Sequence, residues 1–536
     1  MSENANDEEK LAEETTVNTE AETQETVGGG MQTEPAVEAQ SDGTAAAKKP
    51  NKFVEKLDKF FGISKSGSSV KTEVIGGLTT FMAMVYILMV NADMFTAAGV
   101  SYGAVYIATA LSAVIGTILM ALVARLPMAQ ASGMGLNAFF VFTICRGSGL
   151  SYANALVLIL IEGVVFIILT ATGLRKMLFN AIPKAVRVAI PAGIGLFIAF
   201  IGLQNAGIVV GDPSTLVSLQ SWNLLKLINS PPEGLTAYTI ILPIAITILA
   251  VIIMAVLSKK NVKGSILWTM LGAAGLYWAV MGLGCAWKDA TCLELFKSFK
   301  TMDYNPFNAF AEWGKESVGA VFYKGFDFSE YLAIEGNNGG TLTLVIITSA
   351  LAFCMVDMFD TMGTLYGAAA RGNLLTAEGE VPNLNKAMLC DAVATTAGAI
   401  CGTSTVTTFV ESSSGIGAGA RTGFASVITA ACFFAAMFLT PIAKLIPNAA
   451  TAAALIYVGV LMMNCVREIE WTDAAEAVPA FLTIAMMPFT YNISYGMAFG
   501  IISYIIIKMC TGKFKEIHPV TYVIGALFLA TFLLTH

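Results

Sequence analysis

The chain has 536 residues, of which 56% are hydrophobic and only 13% are charged, and its mean hydropathy is +0.69. These values exclude a soluble globular protein and predict a polytopic protein whose surroundings are the lipid bilayer. The net charge of -7 comes largely from the N-terminal tail, so it gives no surface for binding nucleic acid.

Residues 1–70 form the first region that the composition sets apart. The first part is rich in Glu, Thr, Ala and Gly, which predicts disorder because it has too few apolar groups to bury. It contains no apolar stretch of the kind found in signal peptides. The following KKPNKFVEKLDKFFG is basic and amphipathic, so we expect the N-terminus to be cytoplasmic. The role of the acidic tail stays open.

Apolar segments of the length that spans hydrocarbon follow one another from residue 74 onward. We interpret them as about fourteen spans of a multi-pass protein of the cell membrane. Residues 477–509 can form either one interrupted span or two half-depth helices. The segments are 75–96, 104–124, 127–145, 151–172, 185–208, 236–257, 264–284, 342–367, 386–402, 404–418, 422–446, 449–464, 477–491, 494–509 and 520–535.

Two of these segments are poor transmembrane helices. Pro127–Phe140 and Ser404–Thr422 carry Gly, Ser, Pro and β-branched residues in place of a continuous apolar run. ASGMGLNA in the first aligns with SSGIGAGA in the second at an offset of 282 residues. Each is the third segment of a block of seven, and seven is odd, so the two halves would enter the membrane from opposite faces. This pattern predicts the inverted repeat of secondary transporters.

The two broken segments predict a binding site. Irregular backbone at membrane depth is tolerated only where it lines a cavity or is packed in protein, and half-helix N-termini present free N–H groups. We therefore expect Gly133–Asn137 and Glu411–Gly419 to face each other across a small polar cavity. The alternative is that these glycines, Gly415 among them, only allow close helix packing.

Asp357 and Asp360 lie within the apolar run that begins near Leu342. An ionised Asp in the middle of a spanning helix costs roughly 2.5 to 3.5 kcal/mol on insertion scales. Three residues apart, the two share a helix face with Thr364. Carboxylates close together in a low dielectric resist simultaneous ionisation, which makes a proton the natural coupling ion. For Asp357 a hydrogen bond within the bundle is an equal alternative.

The remaining candidates lie in or beside the broken segments. Glu411 opens the second one, where it could bind a ligand or cap the half-helix. Asn137 offers both a donor and an acceptor to the edge of a heterocycle, and Phe139 could stack on a flat ligand. Glu162 and Asp391 are also placed within spans, where an interhelical hydrogen bond is the simpler interpretation.

The cysteines and histidines predict neither a metal site nor a cofactor. The nine cysteines contain no CxxC pair, and the two histidines, His518 and His536, lie near the C-terminus. Cys285 and Cys292 flank one polar loop, and the sequence leaves open whether they form a disulfide. An intramembrane enzyme is disfavoured because no Ser/His or His/Glu set exists.

Three blocks resemble a known family. GMGLNAFF (133–140), VDMFDTMGTLYG (356–367) and VESSSGIGAGARTG (410–423) are similar to signatures of the adenine/guanine/hypoxanthine permeases, the azaguanine-type branch of the xanthine/uracil permease superfamily. The likeness covers about residues 71–534. It implies an all-α, uracil-permease-like fold of 7+7 segments, with short extended strands in segments 3 and 10 and the substrate between them.

The resemblance also implies a mechanism. Family members import purine bases by proton symport, with acids on spans 8 and 10 that correspond to Asp360 and Glu411. Asp357 is a further coupling candidate only through its position beside Asp360. A core domain (71–180 and 341–446) would slide against a gate domain (181–285 and 447–536), with residues 286–340 as an extracytoplasmic loop. The alternatives are a uracil or xanthine permease and an anion transporter on the same fold. The preferred purine and the formation of a homodimer stay open.

Overall fold

The structure is a computed structural model and describes residues 52–174, 181–223, 237–286, 292–294, 297, 304–377 and 379–534. The predicted disordered tail, residues 1–50, lies outside the described residues. Within the described residues the chain is mostly helical, with two pairs of short strands.

The first half runs from the basic segment to the long polar loop. Two of its helices, α4 and α5 below, continue as π-helical segments, Met120–Ala124 and Phe139–Gly147. Its elements are α1 (Lys52–Phe61), α2 (Val70–Met84), α3 (Tyr86–Thr96), α4 (Tyr102–Leu119), β1 (Gln130–Ser132), α5 (Met134–Ala138), α6 (Tyr152–Thr172), α7 (Lys184–Asn205), β2 (Val209–Asp212), β3 (Leu216–Leu219), α8 (Ala237–Lys259) and α9 (Ser265–Ala286).

The second half begins with short helices of the loop and then returns to long apolar helices. Single 3₁₀ turns extend several of them. Its elements are α10 (Pro306–Glu316), α11 (Ala320–Tyr323), α12 (Ser329–Leu332), α13 (Gly339–Arg371), α14 (Leu384–Cys401), β4 (Val406–Thr408), α15 (Ser412–Gly417), α16 (Gly423–Ala436), α17 (Thr440–Ala443), α18 (Asn448–Met462), α19 (Ala474–Thr490), α20 (Ile493–Cys510) and α21 (Pro519–Leu534).

The helices confirm the predicted polytopic architecture. Among the described residues, ten helices are long and apolar enough to cross a membrane, and three shorter apolar ones accompany them. Each of the segments predicted from the sequence contains a helix. The chain is therefore a multi-pass membrane protein, as its composition indicates.

Residues 477–509 form two separate helices. α19 has 17 residues and α20 has 18, so each is about 25 Å long and exceeds half the hydrocarbon thickness. Tyr491, in the left-handed conformation with φ of 56°, ends α19. Gly496 lies against Met487 and Gly500 against Thr483. The two helices therefore pack antiparallel as a helical hairpin, with glycines at the contact.

Strands β1 and β4 pair with each other, although they come from opposite halves of the chain. They are antiparallel, with Gln130 opposite Thr408 and Ser132 opposite Val406. Beyond the ladder, the Gly133 amide donates to Thr405 O at 3.0 Å and the Phe409 amide donates to Ala129 O at 3.0 Å. The backbone groups that the interrupted helices leave open are thus satisfied inside the protein, as hydrocarbon surroundings require.

The polar loop after α9 is folded where it is described. Helices α10, α11 and α12 form what we term the cap, residues 304–338. The Trp313 indole donates to Cys401 O at 2.8 Å, and the Glu316 carboxylate accepts from both the amide and the hydroxyl of Ser101. Cys285 and Cys292 are thiols and do not form a disulfide.

Candidate functional site

The site predicted from the broken segments lies where the two segments meet, at the antiparallel pair of β1 and β4. We term this place the crossing point. α5 begins two residues after β1 ends, and α15 begins four residues after β4 ends. Both half-helices therefore start beside the strand pair, in the interior of the helical bundle. The first amides of α15, those of Ser412, Ser413 and Ser414, already donate to the carbonyls of Phe409, Val410 and Glu411 at 3.1, 3.0 and 2.9 Å.

Glu411 lies at the junction between β4 and α15. Its side chain makes no capping bond to the half-helix, in contrast to the alternative that the sequence left open. Instead, the phenol of Tyr86 donates to Glu411 Oε1 at 2.6 Å. Tyr86 is buried and opens α3, directly after the break between α2 and α3 at Val85. The first span, Val70–Thr96, therefore also contributes to this site.

The two aspartates of α13 have different surroundings. Asp360 is half-buried, and the hydroxyl of Thr407 on β4 approaches its Oδ2 at 3.4 Å. Asp357 is fully buried, with the hydroxyl of Thr361 at 3.5 Å from its Oδ1. Asp360 and Glu411 are near enough to interact electrostatically. The structure thus brings Asp360 and Glu411 together beside β4, while Asp357 lies deeper in the bundle.

Asn137 is hydrogen-bonded to residues in and beside the strand pair. The hydroxyls of Ser132 and Ser404 both donate to its Oδ1, the former at 2.8 Å, and its Nδ2 donates weakly to Ser132 O at 3.4 Å. The residue is fully buried. Its amide therefore joins the two halves at the crossing point, and a contact with a ligand stays a prediction.

Phe139 and Gly415 both lie at close helix contacts. Phe139 is fully buried and packs on Phe353 of α13, with ring centroids 4.7 Å apart. Gly415 is so close to α2 that a Cβ there would lie 2.0 Å from Thr80 Oγ1 and 2.5 Å from Gly76 O. Close packing is sufficient to explain this glycine. Ligand contacts of both residues stay predictions.

Two polar clusters flank the strand pair. In one, the Asn91 amide donates to Thr109 and Thr403 at 2.6 and 3.1 Å. In the other, Asp391 accepts from Gln130 Nε2 at 3.0 Å and from the Thr361 hydroxyl at 2.9 Å. Thr109 and Asp391 differ by 282 in residue number, the same offset that relates the glycine motifs. One cluster contains only uncharged side chains, and the other contains a carboxyl group.

Sequence reasoning missed Tyr86, Thr407 and Gln130. Tyr86 stands within the apolar run MVYILMV, where an aromatic residue indicates ordinary core packing. Thr407 and Gln130 lie within the broken segments, but threonine and glutamine carry no specific signal there. Among the described residues, no three His, Cys, Asp or Glu side chains converge to hold a metal ion.

The fold and the paired broken segments define a class, the polytopic membrane transporters built on an inverted repeat. A model of a permease family, that of the xanthine/uracil permeases, matches residues 71–499. The chain therefore belongs to the xanthine/uracil permease family.

Curated relatives resemble the chain over nearly its full length. The guanine/hypoxanthine permease PbuO of Bacillus subtilis is 38% identical over 87% of this chain and 98% of its own. The adenine permease AdeQ of Escherichia coli is 35% identical over 88% of this chain and 95% of its own. The similarity to these named permeases thus extends over almost the whole membrane part of the chain.

Solved structures share the fold at low identity. The transmembrane domain of a cyanobacterium bicarbonate transporter, BicA, superimposes with a TM-score of 0.52 at 14% identity, over 80% of this chain and 97% of that one. SLC26A9 gives 0.52 at 12% identity, over 89% and 73% of the two chains. These structures indicate the same fold and leave the substrate to be argued from the site.

Proposed function

We propose that the protein imports purine nucleobases, namely adenine, guanine or hypoxanthine, by symport with protons. The curated relatives that match almost the whole chain are named as adenine and guanine/hypoxanthine permeases. The bases are flat, mostly uncharged heterocycles with hydrogen-bonding edges, which suits a small polar cavity between two half-helices.

The observation that carries the proposal is the pairing of two acids at the crossing point. Asp360 reaches Thr407 of β4, and Glu411 accepts from Tyr86. In our proposal a carboxyl group at one of these positions donates to a ring nitrogen or carbonyl of the base, while the other accepts a ring N–H. Asp360 is the more accessible of the α13 aspartates, which supports it over Asp357 as the ligand contact.

Asn137, Phe139 and Gly415 complete the proposed site in supporting positions. Asn137 bridges the two strand segments through Ser132 and Ser404, so it would fix the geometry of both half-helices. Phe139 extends α5 on the same side, and Gly415 lets α15 approach α2. A base bound between the half-helices would also receive hydrogen bonds from the first backbone N–H groups of α5.

Proton coupling follows from the cost of unpaired charge in the membrane. Two acids that are both ionised would repel each other in a low dielectric, so one proton is bound with the base. Loading proton and base then makes the cavity nearly neutral, which allows it to cross an apolar interface. In our proposal the core domain (71–180 and 341–446) moves as an elevator against the gate domain (181–285 and 447–536).

The proposed orientation places the N-terminus in the cytoplasm of a plasma-membrane protein, with the cap on the outer side. Basic residues near the ends of the spans support it: Arg125 follows α4, Lys259 ends α8, and Lys260 and Lys263 lie between α8 and α9. These positions are on the expected cytoplasmic side by the positive-inside rule.

The experiment that tests the function is uptake of labelled bases into cells that lack their own base permeases. Adenine, guanine, hypoxanthine, xanthine and uracil are compared with and without a protonophore. We expect accumulation of at least one purine base and its loss with the protonophore. Asp360→Asn and Glu411→Gln should each abolish uptake at normal protein levels. Full uptake by either variant would remove that residue from the site.

The same panel separates the alternatives. Preferred uptake of uracil or xanthine would indicate another branch of the family. The anion-transporter alternative rests on the fold that the chain shares with the bicarbonate transporter and SLC26A9. However, the side chains that meet at the crossing point are carboxyl groups, which repel anions. Bicarbonate or chloride uptake in place of base uptake would establish the anion alternative.

A further inference from the structure

Glu162 is a buried acid that the proposed substrate site does not use. It lies in the middle of α6 and is fully buried. Its Oε2 accepts from the Thr405 hydroxyl at 2.5 Å, whereas its Oε1 has no hydrogen-bond partner among the described residues. The ion pairs of the described residues lie elsewhere, between Lys444 and Glu312 and around Lys508. A carboxylate in this position would be costly, because burying a charge needs compensating partners.

The helix that packs against α6, α14, carries a second carboxyl group that interacts with Glu162. Gly163 packs so tightly against α14 that a Cβ there would lie 2.4 Å from Thr396 Oγ1 and 2.8 Å from its amide nitrogen. Asp391 is on the same helix, α14, and interacts electrostatically with Glu162. Two acids that interact in a low dielectric resist simultaneous ionisation, which favours a bound proton on one of them.

Both acids are connected to the candidate site through hydroxyl side chains. Thr405, which donates to Glu162, comes directly before β4, and Thr407 on that strand approaches Asp360. On the other route, the Thr361 hydroxyl donates to Asp391 and lies 3.5 Å from Asp357. Movement of β4 when a base enters between the half-helices would therefore change the hydrogen bonds available to Glu162.

We propose that Glu162 is a second proton-binding site, whose proton is taken up and released during the transport cycle together with the one at Asp360 and Glu411. The titratable groups that face it are Asp391 on α14 and, through Thr361, Asp357 on α13. This inference rests on the proposed function, because it requires a proton-coupled base transporter. It adds a coupling ion beyond the site where the base would bind.

The test uses purified protein in liposomes with an imposed membrane potential. One proton driven by 100 mV corresponds to about 2.3 kcal/mol, or roughly fiftyfold in accumulation. Glu162→Gln keeps the shape of the side chain but cannot exchange a proton. We expect the variant to exchange labelled base with unlabelled base within about twofold of the wild-type rate, while its accumulation ratio at 100 mV falls by roughly fiftyfold.

Glu73→Gln is the matched control. Glu73 is also fully buried in a spanning helix, but both of its carboxylate oxygens accept backbone N–H groups, from Arg421 at 2.9 Å and from Thr422 at 3.3 Å. Its role is to hold the start of α16, so the substitution should lower the yield of folded protein. The ratio of accumulation to exchange in the protein that folds should equal that of the wild type.

Several results would overturn the proposal. Wild-type accumulation by Glu162→Gln would show that Glu162 does not take up and release a proton during the transport cycle. Loss of exchange in folded protein would indicate that Glu162 has a role in binding or structure. If Glu162→Gln does not fold, Glu162→Met, which also cannot exchange a proton, takes its place, and wild-type accumulation in that variant has the same meaning. Failure of the wild-type protein to transport any base would instead refute the proposed function.

Discussion

Gly415 and Gly417 of α15 provide a test of how tightly this half-helix packs against α2. A Cβ on Gly415 would lie 2.0 Å from Thr80 Oγ1 and 2.5 Å from Gly76 O, which is backbone and cannot rotate away. Ordinary carbon contacts are about 3.5 to 4.0 Å, so Gly415→Ala must push α15 away from α2 by roughly 1 Å. Overpacking of this kind costs about 1 to 3 kcal/mol.

Gly417, on the same half-helix, provides the matched control. A Cβ there would meet nothing within 4 Å. Gly417 is the last residue of α15, so replacing it by Ala gains at most about 0.5 to 1 kcal/mol, the amount that Ala gains over Gly in a helix interior. We expect Gly415→Ala to lower the midpoint of thermal unfolding in detergent and to reduce base uptake per folded protein. Gly417→Ala should leave the midpoint equal or higher. Equal losses in both variants would refute the packing argument.

Two further predictions concern single hydrogen bonds. Tyr86→Phe removes the phenol that donates to Glu411, and loss of a donor to a buried carboxyl group costs about 1 to 3 kcal/mol. We therefore expect the KM for base uptake to rise about tenfold. Tyr106→Phe, which loses a bond to Ala436 O, should change stability only. Trp313→Phe removes the hydrogen bond from the indole of the cap to Cys401 O, which is worth about 1 kcal/mol. Limited proteolysis should therefore cleave the cap faster than in the control Trp268→Phe, whose indole is exposed. Unchanged cleavage would show that the bond does not hold the cap in place.

The sequence was sufficient to predict the interrupted segments and their pairing in space. Runs of Gly, Ser and Pro cannot make an apolar helix, and their repetition in both halves indicates a shared structural role. The exact equivalence of the halves was not predictable from the glycine motif. β1 and α5 are separated by Gly133 alone, whereas β4 and α15 are separated by three residues, Phe409 to Glu411. The second half thus has extra chain at this junction, and Glu411 lies within it.

The partners of the acids depend on contacts between distant parts of the chain. Tyr86 and Glu411 are 325 residues apart, and a tyrosine in an apolar run gives no indication of its partner. The cap was expected only as a polar loop, because its charges are balanced and its helices are short. Helix periodicity predicts which residues share a face, as for Asp357 and Asp360, but not which of them is accessible.

The cluster around Asp391 leads to the last prediction. Thr361 donates to both oxygens of Asp391, at 2.9 and 3.0 Å, so Thr361→Val removes a hydrogen bond from a buried carboxyl group at almost constant shape. Loss of such a partner costs about 1 to 3 kcal/mol.

Thr348→Val on the same helix is the control, because among the described residues the hydroxyl of Thr348 bonds only to carbonyls of its own helix, Leu344 O and Val345 O. We expect thermal stability in detergent to fall for Thr361→Val and to change little for Thr348→Val.

The inverted repeat provides a second comparison, between the clusters around Asp391 and Thr109. The equivalent position to Asp391 is Thr109, whose cluster with Asn91 and Thr403 is uncharged. Removing a hydroxyl there by Thr109→Val should cost less than Thr361→Val, because no acid loses a donor. Equal losses at the two symmetry-related clusters would mean that the carboxyl group at Asp391 does not depend on Thr361.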